Sequence, residues 1–144
     1  MSLFPDIRSN ADLVKQFHES FGVPGLAEPG FPDDDRITLR LKLIDEEFGE
    51  LQVALARAVE ERDIIEVADA IADLLVVTYG TAHEFGIPID EVFEEVHASN
   101  MSKLGADGRP IYREDGKVLK GPNFRPPDIK GVLYGQGEAP DEQA

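Results

Sequence analysis

The sequence predicts an all-α protein, a four-helix bundle followed by an irregular, basic C-terminal arm. Three observations lead there. Apolar residues recur at helical steps of three and four over long segments, helix-stop signals separate those segments, and Pro and Gly crowd the stretches between and after them. With 144 residues, 42% of them hydrophobic and 30% charged, the chain has the size and composition of a single globular domain, expected over residues 1–134.

The first helix is expected over about residues 10–21, capped by Ser9 or Asn10 and stopped at Gly22. The connector VPGLAEPGFP follows, too rich in Pro and Gly for regular structure, so residues 1–35 comprise the first helix and this connector. The second helix, about 34–61, starts behind Asp33, Asp34 and Asp35, whose charges suit a helix N-terminus. Its apolar stripe reads Ile37, Leu41, Ile44, Phe48, Leu51 and Leu55. A third helix over about 63–85 stops at Gly86-Ile87-Pro88, and a fourth runs over about 89–104 before Gly105. Helix signals then cease. In the arm, residues 105–134, the pairs Asp107-Gly108 and Asp115-Gly116 mark turns, and the second can close a short β-hairpin between residues 111–113 and 117–119. Residues 135–144 are polar and expected to be disordered.

Composition removes several classes of function. A formal charge of −15 argues against a general nucleic-acid surface, and the absence of cysteine excludes disulfides and thiolate metal sites. No apolar run approaches a membrane span, and the start MSLFPDIRSN lacks a signal-peptide pattern, so a cytoplasmic protein without membrane partners is the expectation. The charge is uneven: from Asp63 to Ser102 there are nine acids and no Lys or Arg, and Lys103 to Lys130 then holds seven of the fourteen basic residues. Taken alone, that split is most simply a solvated acidic face with a solubilising tail; it also fits a cation site beside an anion site.

The stretch IIEVADAIADLLVVTY, residues 64–79, favours a cation site. On a helical wheel Ile64, Val67, Ala68, Ile71 and Leu75 form the main apolar stripe, expected to face the core. Glu66, Asp69 and Asp73 gather on the opposite side, flanked by Val76, Val77 and Gly80 rather than by other polar residues. The second helix repeats the pattern in DEEFGEL. Glu47 and Glu50, and likewise Glu46 and Glu50, share a face, and the first pair borders the Phe48 stripe. A tight turn near Glu61-Arg62 makes the two helices antiparallel and brings Glu50 and Asp73 to similar heights. Carboxylates gathered there repel one another and cost several kcal/mol each to bury unpaired, and no Lys or Arg stands nearby in the sequence. A hard dication bound by oxygen ligands, Mg²⁺ or Mn²⁺, is the expected neutraliser.

On the fourth helix the stripe Ile89, Val92, Phe93 and Val96 continues to Asn100 and Lys103, a polar amide and an ammonium in line with core residues. An inward Lys103 suits a phosphate that bridges the metal; a Lys near a helix C-terminus also simply complements the helix dipole. Glu94 and His97 have the Glu-x-x-His spacing of di-iron bundles, but neither His18 nor His83 has a Glu three residues before it, so the required second pair is absent.

These residues resemble the all-α nucleoside triphosphate pyrophosphohydrolase superfamily, the MazG-like and dimeric dUTPase-like enzymes that also include phosphoribosyl-ATP pyrophosphohydrolase. DEEFGE supplies Glu47 and Glu50 of the family's Glu-x-x-Glu, and IADLLVVTYG supplies the Asp73 that ends its second acid pair. The likeness extends through FGIPIDEVFEEVHASNMSKL, with its Asn-x-x-Lys, to EDGKVLKGPNFRPPDIKGVL, over about residues 36–133. One position departs: Ala70 stands where the family carries Glu, so either Asp69 replaces it, one turn from Asp73, or the pair shifts register to Glu66 and Asp69. The resemblance implies a four-helix MazG-like bundle that cleaves the α–β phosphoanhydride of a nucleoside triphosphate to monophosphate and pyrophosphate. It implies Mg²⁺ or Mn²⁺ held by Glu47, Glu50 and Asp73 with Asp69 or Glu66, and a water oriented or deprotonated by Glu46. Asn100 and Lys103 would contact phosphates or sugar, with Arg113, Lys117, Lys120 and Arg125 of the arm as further phosphate contacts. A homodimer or homotetramer is implied as well. Two alternatives stand beside this reading: phosphoribosyl-ATP as the substrate, and a catalytically silent metal-binding or interaction bundle.

Overall fold

In the computed structural model, residues 8–135 are described, and they fall into two compact units that divide in the chain between Ile89 and Asp90. Residues 136–144, most of the tail expected to be disordered, lie outside the described residues. The fold is all-α: five helices and, among the described residues, no β-strand beyond one isolated bridge. No helix of the described residues is long and apolar enough to cross a membrane.

The first unit holds α1 (Asn10–Ser20), α2 (Asp34–Glu61) and α3 (Ile64–Glu84). Local chemistry sets their ends. Ser9 and Asp12 form a reciprocal capping box: the Asp12 amide donates to Ser9 Oγ at 3.1 Å, and the Ser9 amide to Asp12 Oδ2 at 3.0 Å. Asp63 caps α3, its Oδ1 accepting from the Ile65 and Glu66 amides at 3.1 Å each. Between α2 and α3 the chain reverses through Arg62, which takes the left-handed conformation (φ 54°) where glycine is usual, at a cost of about 1 kcal/mol. Gly86 ends α3 with φ 65°, and a Cβ there would collide with the Glu28 carbonyl oxygen. The Pro-rich connector is strapped to this end of α3 by Leu26 N–H to Glu84 O (3.3 Å) and Gly30 N–H to Phe85 O (3.0 Å).

Both α1 and α2 pack on α3, and the packed face reverses the sequence expectation. Ile71 and Leu75, centre of the stripe assigned to the core, are each 44% exposed, and Ile64 lies further out. On α2, Leu41, Phe48 and Leu55 are likewise exposed. The small buried residues are Ala54 on α2 and Ala70, Gly80 and Ala82 on α3, and Glu47 and Asp73 are half-buried. α2 thus lies against the side of α3 that carries Asp73, and the bulkier stripe is left open.

One end of that interface is ionic. Glu84, 1% exposed, is paired with Arg36 Nε at 2.6 Å and Arg40 Nη1 at 2.9 Å. Arg40 also donates from Nη2 to the Val77 carbonyl (3.0 Å) and from Nε to Thr81 Oγ1 (3.2 Å). His18 of α1 is buried against this group, its ring edge-on to His83 at 5.1 Å. A Cβ on Gly80 would sit 2.7 Å from His18 Nε2 and 2.8 Å from an Arg40 guanidinium nitrogen. Gly80→Ala is therefore expected to destabilise. Overpacking costs about 1–3 kcal/mol, against about 1 kcal/mol gained in helix propensity. A lower urea midpoint at unchanged m-value would show it.

Burial pushes the His18 imidazole below its ordinary pKa, and His83, Arg40 and Arg36 push it the same way, against Glu84. The folded state thus binds the His18 proton less readily than the unfolded state. Above about pH 6.5, the ordinary value, both states are neutral and the histidine's contribution is fully present. As pH falls from there toward the lower folded value, the unfolded state takes up the proton first and stability drops. Chemical denaturation between pH 7.5 and 5.5 should show this drop in the native chain and a shallower one in His18→Gln.

The second unit holds α4 (Ile89–Met101), which ends three residues before the expected Leu104, and the arm. Ser102, Lys103 and Leu104 close α4 with tight turns, Lys103 N–H reaching Asn100 O at 3.1 Å. Buried Ser99 donates from Oγ to the Arg125 carbonyl (2.8 Å), and the Arg125 amide donates to Ser102 Oγ (3.1 Å). The hairpin forms in minimal shape as an antiparallel bridge, Tyr112 to Val118, with Gly116 at φ 88° in its three-residue turn. A helix that was not expected, α5 (Ile129–Tyr134), follows Pro126-Pro127, its Gly131 amide donating to Asp128 Oδ1 at 2.9 Å. Six residues with an internal glycine carry too little periodicity to be read; Asp128 as cap was the available signal.

Candidate metal centre

Antiparallel α2 and α3 bring Glu47, Glu50 and Asp73 together, with one oxygen from each carboxylate within 4.8 Å of the others. The helical step explains the match. Glu47 and Glu50 are one turn apart on the face of α2 that meets α3, and Asp73 lies on the packed side of α3 opposite them. Glu47 Oε2 is buried with no hydrogen-bond partner. Burial pushes the Glu47 carboxyl above its usual range, and the negative charge of Glu50, then of Asp73 and Glu46, pushes it further.

An all-oxygen set of three carboxylates, one with an orphaned buried oxygen, fits a hard divalent cation such as Mg²⁺ or Mn²⁺. A cation there would satisfy Glu47 Oε2 and reverse the repulsion that raises its pKa. Nitrogen and sulfur ligands, which would favour zinc, are absent from the cluster.

The remaining candidate acids line an open cleft of about 640 Å³ that adjoins the triad and shares Glu50 with it. Glu46 and Glu50 come from α2, and Glu66, Asp69 and Ala70 from α3. Ala70, three residues before Asp73, is buried and offers no ligand. Asp69 is exposed on the cleft wall, whereas Glu66 pairs with Arg57 at 3.5 Å. Arg57 corrects the sequence reading that no cation stands near the acids. It lies on α2, before the stretch 63–102 that lacks Lys and Arg; its position seven residues after Glu50, two turns along the same face, was the available signal.

The basic candidates all lie in the second unit. Lys103 Nζ donates to Asn100 Oδ1 at 2.9 Å, so the Asn-x-x-Lys pair is preassembled. Arg125 is held by Glu95 at 2.7 Å, and Arg113 donates from Nε to Asp115 at 2.8 Å. Hydrogen bonds from the Asp128 amide and from Arg125 hold the Glu95 carboxyl below its usual range. Lys120 lies 4.7 Å over the Phe124 ring, and Lys117 is exposed. The structure thus gathers Glu47, Glu50 and Asp73, sets Glu46, Glu66 and Asp69 on the adjoining cleft, and engages two of the arm's cations with acids of their own unit.

The model of the phosphoribosyl-ATP pyrophosphohydrolase family matches residues 14–100, which include the whole triad and its cleft. Uncharacterized protein L479 of Acanthamoeba polyphaga mimivirus is 32% identical over 116 residues, 78% of this chain and 42% of that relative. The chain therefore spans less than half the length of that curated relative. A crystal structure of a candidate NTP pyrophosphohydrolase from Exiguobacterium sp. 255-15 is 26% identical, with a TM-score of 0.48, covering 88% of this chain and 95% of that one.

Proposed function

Because the chain belongs to the phosphoribosyl-ATP pyrophosphohydrolase family, we propose that it is a Mg²⁺- or Mn²⁺-dependent pyrophosphohydrolase acting on a nucleoside triphosphate. The observation that carries this reading is the carboxylate triad of Glu47, Glu50 and Asp73, within 4.8 Å, with the buried, unpartnered Glu47 Oε2. Those three residues would hold the cation, with Asp69, one turn before Asp73 and exposed on the cleft wall, as the fourth acid. A dication bound there supplies Lewis-acid polarisation of phosphate oxygens and offsets the charge developing on them.

Water adds across the α–β anhydride: its oxygen bonds to phosphorus, the bridging P–O bond breaks, and monophosphate and pyrophosphate result. Glu46, on the cleft wall beside Glu50, is the carboxylate we assign to take the water's proton. Lys103 and Asn100 are the assigned contacts to phosphate or sugar, and Arg113, Lys117, Lys120 and Arg125 the assigned further phosphate contacts. For Arg113 and Arg125 this requires exchanging Asp115 and Glu95 for phosphate.

A panel of nucleoside and deoxynucleoside triphosphates with phosphoribosyl-ATP, assayed for pyrophosphate release with Mg²⁺ or Mn²⁺, tests the reading. Metal-dependent release from a triphosphate supports it. Release from phosphoribosyl-ATP alone moves the substrate to the histidine-pathway class, and metal binding with no turnover identifies a silent bundle.

We also propose that the chain works as a homodimer or homotetramer. The exposed Ile64, Ile71 and Leu75 of α3 and Leu41, Phe48 and Leu55 of α2 form two apolar stripes that a second copy would cover. Sedimentation equilibrium at micromolar concentration should return at least a dimer; a monomer contradicts the proposal.

A further inference from the structure

On the cleft beside the triad, the acids Glu46, Glu50, Glu66 and Asp69 surround one cation, Arg57. A triphosphate brought to this wall is repelled by these acids and attracted only by a cation bound at the triad and by this guanidinium. Glu50, Val53 and Arg57 follow one another at steps of three and four, so they share a face of α2. Arg57 lies about 10 Å beyond Glu50 along the helix axis, and long helical side chains lean back toward the helix N-terminus, here over Val53 toward Glu50.

The guanidinium is also weakly committed. Its partner is Glu66 of α3, through one 3.5 Å contact, and the Arg57 side chain is 57% exposed. An exposed pair of that length contributes little to stability. It is easily traded for a phosphate, which accepts the planar fork of Arg through two parallel hydrogen bonds. The buried pair of Arg40 with Glu84 offers no such exchange.

Resting on the pyrophosphohydrolase reading above, we infer that Arg57 is a substrate-binding residue that grips the pyrophosphate end of the triphosphate. The polyphosphate then runs along the α2–α3 groove from the triad toward the turn at Arg62, and Glu66 releases Arg57 as substrate enters. The site therefore selects substrates with free terminal phosphates over those whose far phosphate is esterified.

Steady-state kinetics of the full chain with Mg²⁺ test this, comparing the native protein with Arg57→Ala and Arg57→Lys. One charge-assisted phosphate contact corresponds to about tenfold in affinity. Arg57→Ala should raise KM, and the inhibition constant of inorganic pyrophosphate, about tenfold each, with kcat changed less and inhibition by nucleoside monophosphate unaltered. Arg57→Lys should recover part of the loss, since it keeps the charge and loses the fork. Calorimetric titration of pyrophosphate into the Mn²⁺-loaded proteins should show the same order. Unchanged KM and pyrophosphate affinity in Arg57→Ala, or equal weakening of monophosphate and pyrophosphate, overturns the inference while an active native protein leaves the hydrolase reading standing. A native chain that releases pyrophosphate from no nucleotide removes both.

Discussion

Glu50→Gln and Asp73→Asn should each lower pyrophosphate release by about a thousandfold or more, the factor expected when several kcal/mol of charge stabilisation by a bound cation is lost. Both side chains keep their shape, so the fold should survive. In chelator, the variants should unfold at the same temperature as the native chain or higher. The reason is electrostatic: Glu50 and Asp73 both help push the Glu47 carboxyl upward, so neutralising either relieves repulsion in the metal-free protein. With Mg²⁺ the order should invert. The native chain gains stability by linkage, about 2.7 kcal/mol at a hundredfold excess over the dissociation constant, and the variants gain much less. Native-like turnover in both would show that these carboxylates are not metal ligands.

The largest loss of stability should come from the other end of the same helix pair. Glu84 is 1% exposed and is paired with both Arg36 and Arg40. Glu84→Gln leaves Arg40 charged, 5% exposed, and without its carboxylate, a defect worth about 3–5 kcal/mol. Arg36 is partly exposed and can turn to water, so most of the cost falls on Arg40. Pairing Glu84→Gln with Arg40→Met should cost less than the two single changes added together, because the second removes the stranded charge. Urea unfolding measures both quantities. A loss below about 1 kcal/mol for Glu84→Gln would mean that the pair carries little of the interface.

Helix identity and helix ends were legible because they depend on neighbours in sequence. Ser9, Asp63 and Gly86 act within a few residues of themselves: Ser9 was one of two cap candidates, residue 63 the expected start of the third helix, and Gly86 its stop. The acid triad was legible for a related reason: two helices joined by a short turn leave one register, and Glu50 and Asp73 are nearly equidistant from it. The choice of packed face was not. Periodicity marks an apolar stripe without saying what covers it, and taking the main stripe as the core face put Ile71 inward. The buried face instead carries Ala54, Ala70 and Gly80.

The ionic groups were hidden for a different reason. Arg36 and Arg40 read as ordinary charges on a long helix, and Glu84 as its counterpart near the end of another; their pairing spans more than forty residues. Arg57 and Glu66 are only nine residues apart but sit on different helices, where no helical spacing rule connects them. Charges inside an interface become visible only once its register is known.

Crystals grown with Mn²⁺ and measured at a wavelength where manganese scatters anomalously would locate the cation directly. An anomalous peak within bonding distance of Glu47 Oε2, Glu50 and Asp73 is the predicted result. Full-occupancy manganese elsewhere, or none, with Glu47 still unpartnered in its buried position, would contradict the account.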